Sequence, residues 1–367
     1  MHIVSLEAIP YSIPYRRPLA FAIGEVREAA HVLLRIHTDD GIVGQADVLP
    51  RPYTYGETVG SILAAVHTLF APVLVGRDPG NREMIDRLLD NTVANNTVKA
   101  AVDLALWDIL GQELGVSCHR LLGGYTDRVR VSHMVGIGKP AEMAEEARRV
   151  HDDFGVTTFK VKVGRPEYRT DVEAVLRIRD ALGDDVVLGL DANHGWTAEQ
   201  ATAALTAMEP AGVELIEEPC PSSEVLGRRR CIAGTRIPVY ADESAPTLET
   251  VARAVTTDGF DGINIKTSRS GFTRSSRILG LCDGLGIGVL VGNQIDTQLG
   301  TLASVAFAAA HRHTAVRPAE VTNFLLIEDD LLTDPVRVVD GAIAVRPEPG
   351  LGIEIDEDKL DHYRTDR

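Results

Sequence analysis

The chain has 367 residues, with 37 basic and 53 acidic side chains and a formal net charge of −16 at pH 7. This charge argues against nucleic acids and anionic membranes as partners, because both require a basic face. The length, with 44% hydrophobic and 25% charged residues, indicates an ordinary globular protein of two domains, or one large barrel with an attachment.

The first 125 residues are predicted to form strands followed by helices, which is an α+β layout. Alternating apolar residues predict a strand over 3–13 and two more on either side of Asp39-Asp40-Gly41, a hairpin signal. Helical spacing follows over three segments, 54–71, 81–90 and 97–115.

From about residue 126 to residue 321, short apolar strands alternate with helical stretches, giving eight strands with seven helices between them. Such βα repeats predict a parallel sheet, and eight of them predict a closed barrel. The tail, 322–367, is strand-like and turn-rich, and we expect it to pack back on the first domain. The predicted fold is therefore α/β: a modified TIM barrel, (β/α)7β, over 126–321, with an α+β capping domain over 1–125 completed by the tail.

No apolar run approaches the roughly 18 residues of a membrane span, and the N-terminus shows no signal peptide. The four cysteines are widely separated, which is typical of free thiols in a reducing compartment. We therefore expect a cytoplasmic protein.

Charged residues end five successive barrel strands, and the chemistry of such barrels lies at that rim. In chain order they are Lys162 (with Lys160 two positions before it), Asp191, Glu217, Asp242 and Lys266. The spacings are 29, 26, 25 and 24 residues, about one βα unit each. The chain has only six lysines, and three of them lie here. This order of lysine, three acids and lysine indicates one site.

Three carboxylates on adjacent strands form an all-oxygen site that suits Mg²⁺ or Mn²⁺, and without a cation they would repel one another. Lys160 and Lys162 face the same side of a strand, roughly 6–7 Å apart, so we expect each to lower the pKa of the other. A carboxylate substrate bound to the metal would have its enolate form stabilised, and a lysine could then exchange the proton at its α-carbon.

These motifs resemble the enolase superfamily, whose pairing of a lysine with Mg²⁺ is well known, and within it the muconate-lactonizing-enzyme subgroup. The similarity covers essentially the whole chain. The matching residues are Lys160 and Lys162 of the K-x-K motif, the metal ligands Asp191, Glu217 and Asp242, the opposite lysine Lys266, and Asn193, which supports the K-x-K pair. The resemblance implies that Lys162 donates a proton, Lys160 helps to bind the proximal carboxylate, and Lys266 supplies the opposing positive charge.

The tail looks like that of muconate cycloisomerases, which convert cis,cis-muconate to muconolactone. In that reaction the distal carboxylate adds to a double bond, and the enolate held on the metal is then protonated. The resemblance thus implies a small dicarboxylate substrate, Mg²⁺ or Mn²⁺ as cofactor, and a homo-oligomer.

Four further residues are candidates for substrate binding. Tyr55 in loop 50–57 and Phe21 in loop 15–26 are expected to reach over the barrel mouth, where aromatic rings could exclude water. Asp296 follows the seventh barrel strand and is a candidate supporting acid. Asn323 stands where the resemblance leads us to expect a glycine–proline corner, which leaves open how the distal carboxylate is held and whether addition is syn or anti.

Two alternatives remain. A dipeptide epimerase or an o-succinylbenzoate synthase-like enzyme could use the same site, since two opposed lysines suit proton transfer at one carbon. This reading ranks lower because the segment Asn293-Gln294-Ile295-Asp296 lacks an Asp-x-Asp pair to hold a substrate ammonium group. The other alternative, a barrel that binds metal or anion without catalysis, is disfavoured because every charged position is present.

Overall fold

The computed structural model describes residues 1–22 and 24–367. The chain opens with a three-stranded antiparallel sheet in the order β1-β2-β3, formed by β1 (Ile3–Phe21), β2 (Gly24–Thr38) and β3 (Val43–Val48). The predicted hairpin is the β2–β3 connection, where Gly41 has a φ of +81°. The expected loop 15–26 is instead mostly strand, because β1 and β2 pair again from Leu19 onward after a register shift beyond Pro14. Ile23, within that loop, lies outside the described residues.

Helices follow the sheet, as predicted. They are α1 (Val59–Ala65), continued by a π-helical turn (Val66–Phe70) into α2 (Ala71–Leu74), then α3 (Arg82–Leu89), α4 (Asn96–Leu114) and α5 (Cys118–Leu122). The first begins later than the predicted residue 54, because Thr58 and Ser61 form a capping box at its N-terminus. Before it, the amides of Thr54, Tyr55 and Gly56 all donate to the Arg51 carbonyl, so this segment forms turns.

Eight strands then build the barrel, as predicted: β4 (Arg128–Val135), β5 (Thr158–Lys162), β6 (Val187–Asp191), β7 (Val213–Glu217), β8 (Val239–Ala241), β9 (Gly262–Ile265), β10 (Gly288–Val291) and β11 (Ala319–Glu320). Neighbours in chain order pair in parallel from β4 to β10, and β11 returns to pair in parallel with β4. The outcome is a nearly closed parallel barrel, so the predicted fold class is confirmed.

The helices around the barrel are α6 (Pro140–Phe154), α7 (Tyr168–Leu182), α8 (Ala198–Met208) with a 3-10 turn (Glu209–Ala211), α9 (Val225–Gly234), α10 (Leu248–Arg253) with a π-helical turn (Ala254–Asp258), α11 (Thr267–Leu285), α12 (Gln298–Ala310) and α13 (Arg312–Ala315). Valine, leucine and isoleucine side chains of the strands are buried under these helices. This packing leaves the carboxyl ends of the strands facing the N-terminal domain. No helix of the described residues is long and apolar enough to cross a membrane.

The tail contains a 3-10 turn (Asn323–Leu326), β12 (Ala342–Ala344) and α14 (Glu357–Tyr363). It packs on the first domain as expected, with bridges from Tyr11 to Arg364 and from Tyr15 to Ile327. It also contacts the barrel, where β12 pairs antiparallel with β4. Helix α14 was not predicted, although Asp356 caps it by accepting hydrogen bonds from two backbone amides. The domain limits at 125/126 and 321/322 stay predictions.

Candidate active site at the barrel mouth

Three carboxylates meet at the rim where β6, β7 and β8 end. Asp191 and Glu217 are the last residues of β6 and β7 and pair across the ladder, and Asp242 follows β8 directly. All three are fully buried, and one oxygen from each lies within 4.8 Å of the others. The in-register strand ends therefore bring together side chains that are 25 to 51 residues apart in the sequence.

This cluster fits a divalent cation. Burial, reinforced by Asp191 and Asp242, raises the pKa of Glu217 to about 8 despite the nearby Lys160. The Oε1 atom of Glu217 is buried and has no hydrogen-bond partner among the described residues. Buried carboxylate oxygens of this kind are the ligands that hard divalent ions prefer, and a bound ion would favour the ionised form of Glu217, so the three residues could hold such an ion.

Lys162, the last residue of β5, lies beside the cluster. Its Nζ donates to Asp191 Oδ2 at 2.5 Å and to Asn193 Oδ1 at 2.8 Å. Asn193 is itself held by its Nδ2, which donates to Glu243 Oε1 at 2.6 Å. Burial would raise the pKa of Asp191, but Lys162 and Lys160 outweigh it and lower this pKa to about 2. The ammonium group is therefore held in a defined position next to an ionised carboxylate.

Lys160 does not have the lowered pKa expected from the sequence. Burial favours such a lowering, but the charges of Glu217, Glu320 and Asp191 outweigh it and raise the pKa well above its usual value. Its Nζ donates to Glu217 Oε2 at 2.8 Å and to Glu320 Oε2 at 2.5 Å. The expectation considered only the neighbouring lysine and overlooked the carboxylates across the barrel. These carboxylates thus favour the charged form of Lys160 over proton exchange near neutrality.

The opposite side of the cluster carries two more cations. Lys266, directly after β9, pairs with Asp242, and Arg269 Nη1 donates to Asp242 Oδ1 at 2.6 Å. Burial opposes the charged form of Lys266, but Asp242 raises its pKa overall. The same two cations hold the pKa of Asp242 far below its usual range, against the effect of burial. Lys162 and Lys266 therefore approach the carboxylates from opposite sides.

The loop that carries Asp242 is braced by a neighbouring acid. Oε1 of Glu218 accepts hydrogen bonds from the Asp242 amide at 2.7 Å and from the Ser244 amide at 2.9 Å. Its other oxygen accepts one from Arg228 at 2.5 Å. Both carboxylate oxygens of Glu218 therefore accept hydrogen bonds that hold the rim, and the group does not face the cluster.

Two aromatic side chains of the first domain reach the site. The ring of Phe21 lies 5.4 Å from Lys162 Nζ, measured to the ring centre, which is a cation–π distance. Tyr55 accepts a hydrogen bond from Arg269 Nη1 at 3.0 Å through its hydroxyl. These positions cover both flanks of the cluster, Phe21 over Lys162 and Tyr55 over Asp242.

Asp296 and Asn323 lie on the side of the barrel mouth near β10 and β11. Asp296 stands apart from the carboxylate cluster and near Asp47 and His31 of the first domain. Burial, then Asp47, raises the pKa of Asp296 to about 7. Neither of its carboxylate oxygens has a partner among the described residues. Asn323 Nδ2 donates to Tyr15 Oη at 3.0 Å and to the Asp296 carbonyl at 3.2 Å.

Sequence reasoning missed several residues that contact the predicted ones, among them Glu320, Glu243 and Arg269. Glu320 ends β11 and could have been found by applying the strand-end rule to the eighth strand. Glu243 follows a predicted ligand directly, but nothing in its position indicated a contact with Asn193. Arg269 had no sequence signal, since it lies within the first turn of α11.

A parallel α/β barrel, a buried cluster of oxygen ligands at its carboxyl rim and two opposed lysines together define a class of enzyme. It is the class of barrel enzymes whose rim can hold a divalent metal with amine groups on both sides of it.

Comparison with known proteins places the chain in a family. Residues 5–123 match the mandelate racemase/muconate lactonizing enzyme N-terminal domain, and residues 142–359 match the enolase C-terminal domain-like family. The chain therefore belongs to the mandelate racemase/muconate lactonizing enzyme family of the enolase superfamily, as its motifs indicated.

Individual relatives are similar over nearly their whole length. L-Ala-D/L-Glu epimerase of Bacillus subtilis is 32% identical, covering 96% of this chain and 97% of the relative. Muconate cycloisomerase 1 of Rhodococcus opacus is 31% identical, covering 98% of both. The crystal structure of a muconate lactonizing enzyme from Mycobacterium smegmatis, complexed with muconolactone, is 49% identical over 100% of both chains, with a TM-score of 0.98. These relatives are isomerases, and this chain is an enzyme of that class.

Proposed function

We propose that the enzyme is a muconate cycloisomerase, which converts cis,cis-muconate to muconolactone. The observation that carries this proposal is Lys162, whose ammonium group is held by Asp191 and Asn193 directly beside the carboxylate cluster. The full-length similarity to a muconate lactonizing enzyme at 49% identity supports the choice of substrate. The curated relatives do not separate the substrates, because epimerase and cycloisomerase are 32% and 31% identical.

In this proposal Asp191, Glu217 and Asp242 hold Mg²⁺, with Mn²⁺ as the alternative. When bound, the ion acts as a Lewis acid that stabilises negative charge on the proximal carboxylate of the substrate. Lys160 remains protonated and helps to bind that carboxylate. We also propose a homo-oligomer, from family resemblance alone.

The proton transfer is assigned to Lys162. Attack by the distal carboxylate leaves an electron pair at the carbon next to the proximal carboxylate. The Nζ of Lys162 donates a proton to that carbon, and Asn193 and Asp191 keep the donor in place. Lys266 remains cationic on the other side and balances charge. Phe21 and Tyr55 exclude water from the reacting carbons.

A dipeptide epimerase is the second candidate, because Lys162 and Lys266 flank the cluster from opposite sides. Such an enzyme must also hold the ammonium group of its substrate, which requires acids at the barrel mouth. The segment after β10 reads Asn293-Gln294-Ile295-Asp296 and that at β11 reads Glu320-Val321-Thr322-Asn323. Neither contains an Asp-x-Asp pair, and Glu320 is already paired with Lys160. This composition favours the cycloisomerase.

The test is a direct assay of both reactions. The purified enzyme with Mg²⁺ is expected to remove the ultraviolet diene absorbance of cis,cis-muconate, and EDTA should abolish the loss until Mg²⁺ is restored. In D₂O, NMR of the product locates the added deuterium and distinguishes syn from anti addition. The same enzyme is incubated with L-Ala-L-Glu in D₂O. Exchange of an α-proton there, without loss of muconate, would replace the proposal by the epimerase.

A further inference from the structure

Arg51 is a cation at the barrel mouth without an anionic partner. It lies in the turn after β3, where its carbonyl accepts three backbone hydrogen bonds that shape the loop. Its side chain is half-buried. No carboxylate lies within 4.0 Å of its guanidinium in the described part of the chain, and its buried Nε has no hydrogen-bond partner there. Holding such a group partly desolvated without an anion is unfavourable, which points to an anionic ligand.

Tyr15 lies within electrostatic range of this cation, since the charge of Arg51 acts to lower the pKa of the Tyr15 hydroxyl. The hydroxyl of Tyr15 accepts a hydrogen bond from Asn323 Nδ2 at 3.0 Å, so its own proton is free to be donated elsewhere. Burial raises the pKa of Tyr15 to about 12, although Asn323 and Arg51 oppose this, so the hydroxyl stays protonated. Arg51 and Tyr15 therefore offer an unpartnered guanidinium and a free hydroxyl proton within electrostatic range of each other.

Asn323 is not a donor to the ligand in this arrangement. Its Nδ2 carries two hydrogens, and both are used, one toward Tyr15 and the other toward the Asp296 carbonyl. Its remaining group, Oδ1, is an acceptor and would repel a carboxylate. Asn323 is thus a positioning residue, which orients the Tyr15 hydroxyl.

We propose that Arg51 and Tyr15 bind the distal carboxylate of a dicarboxylate substrate whose proximal carboxylate lies at the Asp191–Glu217–Asp242 cluster. This inference rests on the proposed function and deepens it by naming the group that recognises the second charge. The distal carboxylate of muconate becomes part of the neutral lactone ring, so Arg51 faces an anion in the substrate and no full charge in the product. The subsite consequently favours substrate over product and assists release.

The first measurement tests ligand binding at this subsite without any turnover. Binding of adipate, a six-carbon dicarboxylate that cannot cyclise, is compared with binding of hexanoate, the six-carbon monocarboxylate, by calorimetry on the Mg²⁺-loaded protein. The unaltered enzyme is expected to bind adipate more tightly, and Arg51→Gln should weaken adipate about 10- to 100-fold while leaving hexanoate unchanged. Arg51→Lys keeps the charge and should recover part of the affinity. Arg77→Gln makes the same charge change at an exposed position of the first domain and is the matched control.

The second measurement is kinetic. With muconate, Arg51→Gln should raise KM by a similar factor, change kcat less than about three-fold, and alter inhibition by muconolactone little. Tyr15→Phe should raise KM only a few-fold. An unchanged preference for adipate over hexanoate in Arg51→Gln overturns the subsite even if muconate is consumed. Conversely, an enzyme that leaves muconate intact but loses the preference on Arg51→Gln rejects the proposed function and retains the subsite.

Discussion

The site has two regions of contrasting character. The floor of the site consists of the rim residues Lys160, Lys162, Asp191, Glu217, Asp242 and Lys266, and its charges are almost all paired with one another. The mouth wall consists of Tyr15, Phe21, Arg51, Tyr55, Asp296 and Asn323, and several of its buried polar atoms lack a partner among the described residues. Because the charged groups of the floor hold one another in place, the floor suits a single kind of proton transfer. The open donors and acceptors of the wall are the groups that the proposed function assigns to substrate recognition.

The largest effect is expected from replacing Lys162, because this removes the proton donor while the cation site of the floor should remain. Lys162→Ala should lower kcat by about 10²- to 10⁴-fold, the usual contribution of a general acid, because no other described group donates at that position. The diene absorbance assay measures turnover, and calorimetry with Mg²⁺ shows whether the cation site survives. Lys139→Ala, at an exposed lysine that pairs with Glu142, is the control. Normal lactonization by the Lys162 variant would rule out its role.

A smaller effect is expected at Glu320, which the floor needs to hold Lys160. Glu320→Gln removes one of three carboxylates near Lys160 Nζ, so the pKa of that lysine should fall while Glu217 and Asp191 remain. We expect kcat/KM to fall about ten-fold and the alkaline limb of its pH profile to move to lower pH. Glu214→Gln, an exposed acid at the other end of β7, serves as the control. If the rate falls without a change of pH profile, Glu320 has only a structural part.

The smallest effect concerns stability and lies in the wall. Burial raises the pKa of Asp296 from 3.8 to about 7, so the folded state favours the protonated acid. The contribution of protonated Asp296 to the free energy of unfolding is therefore complete below pH 3.8 and is lost as the pH rises toward 7. Above pH 7 this contribution changes no further. Asp296→Asn should therefore raise the melting temperature at pH 8 by a few degrees, about 2–5 °C, and have a smaller effect at pH 4.

The control for this prediction is Asp184→Asn, the same charge change at an exposed position. Thermal scans of both variants at pH 4, 6 and 8 give the comparison. A stabilisation by Asp296→Asn that is equal at all three values would mean that the aspartate is not titrating in this range.

Much of the floor could be predicted from the amino-acid sequence. In a parallel sheet every strand ends at the same rim, so a charge that recurs once per βα unit must meet its counterparts there. The same rule, applied to the eighth strand, would have found Glu320. The predicted lowering of the Lys160 pKa was wrong, because that pKa depends on distances to charges across the barrel as well as along one strand.

The sequence by itself determined the repeating βα pattern, the identity of the strand-end residues and hence the class of site, because each follows from local periodicity. For the wall, the sequence offered Phe21, Tyr55, Asp296 and Asn323 as candidates, but only the tertiary structure decided their contacts. The hydrogen bond from Asn323 to Tyr15 joins residues 308 positions apart, and the bond from Arg269 to Tyr55 spans 214 positions. Such contacts depend on how the first domain and the tail pack over the barrel, and no local pattern records that packing. The six lysines of the chain illustrate both levels, since their positions were evident in sequence and their partners only in the fold.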